Sequence, residues 1–133
     1  MKLSQLRPEL LPLVVAALLC ASSGAGAQDA TQTDGDKYKV VLENPQVRVL
    51  EYRDLPGEKT HQHRHPQFVV VAMAPFSRRI HLPDGRTMTR EFKTGDVIYS
   101  DGETHIGENI GGAPTHVLLI EMKGPKVSVP VKP

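Results

Sequence analysis

His61-Gln62-His63-Arg64-His65 places three imidazoles at alternate positions of a short polar run. An extended backbone sends alternate side chains to one face, so His63 and His65 would share a side and could converge on one cation with a histidine from elsewhere. The stretch Asp101-Gly102-Glu103-Thr104-His105 supplies that partner, His105. Imidazoles held this way on a β scaffold suit a divalent transition metal.

Outward from this run, the chain reads as strand, turn, strand. β-type segments are expected at 38–42, 47–52, 67–74, 78–82, 87–92, 97–100 and 116–122, rich in Val, Ile, Leu, Tyr and Phe. Asn44-Pro45, Leu55-Pro56-Gly57, Pro83-Asp84-Gly85, Thr94-Gly95-Asp96 and Gly111-Gly112-Ala113-Pro114 punctuate them. The Pro83-Asp84-Gly85 string reads as a hairpin turn. The runs Phe68-Val69-Val70-Val71 and Val117-Leu118-Leu119-Ile120 do not alternate, which predicts strands covered on both faces in a sandwich or small barrel. No segment of 28–133 sustains a helical period, and no internal repeat is present.

The first residues read differently. Lys2 and Arg7 precede an apolar stretch over 10–19 that ends in small residues and Ala25-Gly26-Ala27, the layout of an export leader cleaved after Ala27. The apolar core is short for a membrane span and Pro12 interrupts it. Lipidation at Cys20 is the alternative, disfavoured by bulky Leu19 just before it. The expected organisation is a leader at 1–27, a flexible lead-in at 28–37, one domain at 38–123 and a tail at 124–133. The exported product would be periplasmic or secreted.

Charge and cysteine content narrow the function classes. Of the 16 Lys and Arg in the 133-residue chain, Lys2 and Arg7 fall in the leader; of the 15 Asp and Glu, Glu9 does, which leaves fourteen of each sign. A neutral domain lacks the basic field of a nucleic-acid binder. Cys20 is the only cysteine, so the cleaved product would have neither disulfides nor thiolate ligands, and a metal would be held by nitrogen and oxygen.

Two spacings resemble a known family. Gly57, His63 and His65 match the first half of cupin motif one, and Gly95, Gly102, His105 and Asn109 match cupin motif two, with Ser100 where proline is usual. The Pro-Gly-Glu-Lys-Thr, His-x-His-Pro and Thr-His-x-Gly-Glu-Asn strings are similar to small single-domain cupins of the β-alanine degradation type. The resemblance implies an all-β, cupin-like double-stranded β-helix, or jelly-roll barrel, in which His63, His65 and His105 hold a divalent metal: Fe, Ni, Cu, Zn or Mn. It also suggests a homodimer.

One departure bears on the site. The glutamate that motif one carries with three or four residues between it and the second histidine is replaced by Val69 or Val70, so the fourth ligand is missing from its usual place. An ion held by neutral imidazoles alone keeps its full charge and favours an anionic ligand. Gln67, Glu108 and Asn109 are candidates for hydrogen bonds around the ligands, and Glu103 is the candidate acid–base residue, against the plainer reading of Glu103 and Glu108 as loop carboxylates facing water. His61, His81 and His116 are expected on the surface, although His116 could reach a cavity mouth. Tyr52, Phe68, Phe92 and Tyr99 are expected to line or pack the barrel, and Arg78, Arg79, Arg86 and Arg90 to form a solvated basic face. Gly57, Gly95 and Gly102 are expected at turns needing positive φ. Two functions follow: a metal-dependent enzyme, such as an oxygenase, acting on a small substrate, or a module that holds metal or a small ligand without turnover. An idle structural domain leaves the histidines unexplained.

Overall fold

The computed structural model describes residues 27–125. The leader with Cys20, and most of the tail, lie outside the described residues. The strands are β1 (Gln28–Asp29), β2 (Tyr38–Glu43), β3 (Val47–Asp54), β4 (His63–His65), β5 (Phe68–Ala72), β6 (Phe76–His81), β7 (Thr87–Phe92), β8 (Val97–Ser100), β9 (Glu103–Asn109) and β10 (Thr115–Met122), with one short helix, α1 (Ala30–Thr33). They form two five-stranded sheets, ordered β1-β4-β9-β6-β7 and β2-β3-β10-β5-β8. No helix among the described residues is long and apolar enough to cross a membrane.

The expected all-β architecture is thus present, and its core lies between the sheets. Leu50, Tyr52, Phe68, Ala72, Phe76, Val117 and Leu119 are buried there with Tyr38 and Ala30. Along β10 burial alternates strictly: Thr115, Val117, Leu119 and Glu121 face inward while their neighbours are half-buried. The outer face of this sheet is therefore partly open, not covered on both sides as the apolar run implied. Leu118 and Ile120 share an outer surface with Val71 and Val69, on which each shields its neighbour, while Val70 faces inward against the core.

The segment expected as a flexible lead-in is ordered. Asp29 caps α1, its carboxylate accepting from Thr31 N at 2.9 Å, and β1 pairs in parallel with β4. Ala30 is fully buried and Asp34 is 3% exposed. The stretch is polar because its carboxylates meet buried partners of the barrel, not because they meet water. Hydropathy cannot separate the two cases.

Strand β9 was the other departure. Its polar residues Glu103, Thr104, Glu108 and Asn109 suggested loop, yet the strand pairs with both β4 and β6. Tertiary pairing overrides the weak β propensity of Glu and Asn here. Before it, Gly102 adopts φ +94°, and a Cβ there would lie 2.9 Å from the carbonyl oxygen of His65 and from the carbonyl carbon of Pro66. Gly102→Ala is expected to destabilise the domain by roughly 1–3 kcal/mol from backbone strain alone, read by urea unfolding. A loss of only a few tenths would show that this turn relaxes freely.

Candidate metal centre

The antiparallel register of β4 and β9 sets His63 opposite His105 and His65 opposite Glu103. Because alternate residues share a face, these four side chains form a cluster on the inner wall. His63 and His65 are fully buried and His105 is 5% exposed. Their rings lie 4.8 Å (63 to 65), 4.8 Å (63 to 105) and 5.5 Å (65 to 105) apart between centroids. One ring nitrogen from each falls within 4.8 Å of the other two. Two nitrogens bound at about 2.1 Å to one ion can be no more than about 4.2 Å apart, so holding a metal requires the rings to draw in slightly.

Hydrogen bonds select the ligating nitrogens. A carbonyl only accepts, so His63 Nδ1 donates to the His61 carbonyl at 2.8 Å, and the lone pair sits on Nε2, 3.2 Å from the Tyr38 hydroxyl. His65 Nδ1 lies 2.6 Å from Glu121 Oε1, and its buried Nε2 has no partner among the described residues. A buried, unpaired imidazole nitrogen beside two others is what a metal would satisfy. Glu103 Oε1 is 3.1 Å from His105 Nδ1 but off the N–H direction, a close polar contact rather than an aligned hydrogen bond.

Electrostatics keep His63 and His105 neutral and ready to ligate. Burial, reinforced by the neighbouring His105 and His65, pushes the His63 pKa down to about 3. Burial also lowers that of His105, opposed by Glu103 and aided by His65 and Arg78. The His105 contact in turn holds Glu103 below the usual glutamate value, in the anionic form. Between pH 6.5 and about 3 the unfolded chain takes up a proton at His63 that the folded one refuses, so stability rises with pH across this window. The metal-free protein is expected to lose Tm steadily as pH falls from 6.5 toward 3. A flat profile would contradict a buried neutral His63.

Support around the ligands comes from residues the sequence reading passed over. Glu121, an inward residue of β10, holds His65 and is itself held by Arg48 Nε at 2.7 Å; Arg48 continues to Asp29. Asp34 accepts from His61 N at 3.0 Å and lies 3.6 Å from His63 Nδ1. Two carboxylates of the ordered N-terminal segment thus reach toward two ligands. Glu121→Gln keeps the shape and removes the charge; metal affinity is expected to fall about 10- to 100-fold in a chelator competition. Unchanged affinity would reduce Glu121 to packing. A signal did exist: a lone glutamate at an inward position of an apolar strand is costly unless paired.

The other candidates fall elsewhere. Gln67 donates to the Tyr99 hydroxyl at 3.0 Å, on the outside of the barrel. Glu108 belongs to the opposite face of β9 and binds His81 at 2.7 Å, so it does not support the ligands. Asn109 lies four residues from His105 along β9 and donates to Asp54 and to the Ala113 carbonyl, ordering the loop before β10. Glu103 faces the cluster as an inward strand residue, not a loop carboxylate. His61 is exposed at its side chain, while His116, half-buried, contacts Glu51 at the surface. Arg78 does not join a solvated face: it is 9% exposed and points into the barrel, where its Nη1 donates to Asp54 at 3.0 Å.

His65 and His105 open onto a cavity of about 170 Å³ between the sheets. Its walls include Phe68, Phe76, Phe92, Val117 and Leu119, with Arg78, Glu103 and Thr115 as polar groups. Of the expected lining residues, Tyr52, Phe68 and Phe92 border it, whereas Tyr99, 55% exposed, lies on the outer face of β8.

No protein-family model and no curated protein sequence matches the chain. Among solved structures, it is similar to a cupin domain from Bordetella pertussis Tohama I, with 29% identity, 65% of this chain and 92% of that one covered, and a TM-score of 0.60. It is also similar to a protein with a double-stranded β-helix domain from Klebsiella pneumoniae, at 24% identity, 65% and 76% coverage and a TM-score of 0.54. An RmlC-like cupin family protein from Methanocaldococcus jannaschii shares the fold at 13% identity, 64% and 77% coverage and a TM-score of 0.53. With two facing sheets and both histidine segments on adjacent strands of one, the chain has the double-stranded β-helix fold and is similar to small cupin domains.

Proposed function

We propose that this protein is a metal-dependent enzyme that acts on a small organic molecule inside the barrel. The observation that carries the reading is the convergence of three buried imidazoles, two with a ring nitrogen that has no hydrogen-bond partner among the described residues, beside a largely apolar cavity. His63, His65 and His105 would hold a divalent transition metal. When bound, such an ion supplies Lewis acidity or, if redox-active, dioxygen chemistry. Glu121 and the His61 carbonyl hold the rings of His65 and His63 in the required tautomer. Glu103, held anionic and opposite His65, is placed to accept a proton from a molecule in the cavity. The apolar walls exclude water from that exchange.

A non-catalytic module is the second reading, favoured by the engagement of Glu103 with His105, which leaves no second carboxylate beside it. The purified chain, loaded in turn with Fe, Ni, Cu, Zn and Mn, separates the two. Oxygen consumption or product formation with thiols, amino acids or aromatic diols supports the enzyme; stoichiometric metal without turnover supports the module; failure to retain any metal overturns both. The leader-like residues 1–27 support export, and the exposed Val40, Val41 and Leu42 of edge strand β2 support a homodimer.

A further inference from the structure

The wall of the cavity beyond the histidines carries polar groups that the metal reading does not use. Arg78 enters the barrel from β6, and its guanidinium lies over Gly107, where a Cβ would come within 1.9 Å of Nη2. Gly107 is two residues from His105 on the same inward face, roughly 7 Å along the strand. The guanidinium therefore borders the cavity close to the imidazoles.

Its partners leave it with donors to spare. Nη1 donates to Asp54 and Nη2 to the Tyr52 hydroxyl at 3.2 Å, two of the five N–H groups a guanidinium offers. Asp54 receives Tyr52 and Asn109 as well as Arg78, so its charge is satisfied by three donors. Beside this network stands Thr115, 1% exposed, whose hydroxyl has no partner among the described residues. A buried hydroxyl without a partner and a guanidinium with unused N–H groups border one apolar space. Leaving the hydroxyl unmet is costly; a ligand oxygen that accepts from it and from the guanidinium removes that cost.

We propose that the cavity is a binding site for a small monocarboxylic acid with a compact apolar body, its carboxylate on Arg78 and Thr115 and its body against Phe76, Phe92 and Val117. The volume sets the size: an apolar cavity of about 150 Å³ holds a benzene ring, and this one is about 170 Å³. The end of the acid remote from Arg78 faces His65 and His105, and only in that respect does the assignment rest on the metal-centre reading.

Benzoate is the probe, with benzyl alcohol as its neutral counterpart, titrated calorimetrically into the full chain with and without bound zinc. One benzoate per chain is expected, with benzyl alcohol at least about tenfold weaker. Thr115→Val should weaken benzoate about tenfold while leaving Tm unchanged or higher, since it removes an unpaired buried hydroxyl; a merely structural Thr115 would lower Tm and spare binding. Arg78→Lys should also weaken benzoate; if it fails to fold, Thr115→Val decides. Equal binding of acid and alcohol, no binding of either, or benzoate that binds only with zinc and ignores Thr115→Val would each overturn the assignment. Benzoate bound by a chain that retains no metal would sink the metal-centre reading and leave this one standing.

Discussion

Replacing His105 by alanine is expected to take bound metal from about one ion per chain to less than about a tenth, measured by elemental analysis after dialysis. A site of neutral nitrogen donors, with no carboxylate at the usual motif-one position, has little affinity to spare, and losing one imidazole leaves two from a single strand. The fold should survive. His105 lacks an aligned hydrogen bond at Nδ1, so its removal strands no buried partner, and the β-rich circular dichroism of the metal-free variant should match the parent. Unchanged metal content would remove His105 from the ligand set and with it the proposed centre.

Arg78→Ala is expected to cost about 3–5 kcal/mol in urea unfolding, because it leaves the buried Asp54 carboxylate without its countercharge. Tyr52 and Asn109 would still donate to Asp54, but neither carries charge. The guanidinium also stacks over the Tyr52 ring at 4.7 Å and fills the space above Gly107. Gly107→Ala offers a second reading of the same contact. It should be strongly destabilising in the parent and much less so once Arg78 is alanine, a non-additivity that a double-mutant cycle measures. A loss below about 1 kcal/mol for Arg78→Ala would mean that water reaches Asp54 and that the cluster is not a dry network.

Legibility in the sequence tracked how local each cause was. The hairpin around Pro83-Asp84-Gly85, the strands at 87–92 and 97–100 and the positive φ of Gly57, Gly95 and Gly102 follow from residues within a few positions of each other. The pairing of His63 and His65 on one face follows from the two-residue period of a strand. By contrast, Glu108 and Glu103 are equivalent by composition, and only the phase of β9 separates the outward residue from the one facing His65. Gln67 was plausible near a ligand by sequence distance, yet the turn into β5 carries it outside. Arg78 and Arg79 look like one basic pair, and their alternation sends one into the core and the other to solvent.

By itself the sequence determined that this is a β protein whose histidines could meet, since strand periodicity, turn chemistry and the two glycine–histidine spacings are written within short windows. The tertiary structure decided which groups accompany them. Glu121 arrives from the far sheet, Asp29 and Asp34 from a segment that reads as loose chain, and Arg78 from an apparent surface patch. Each is a charged residue whose burial becomes affordable only beside a particular partner many residues away. Such pairing is invisible to any window and exists only once the sheets have closed.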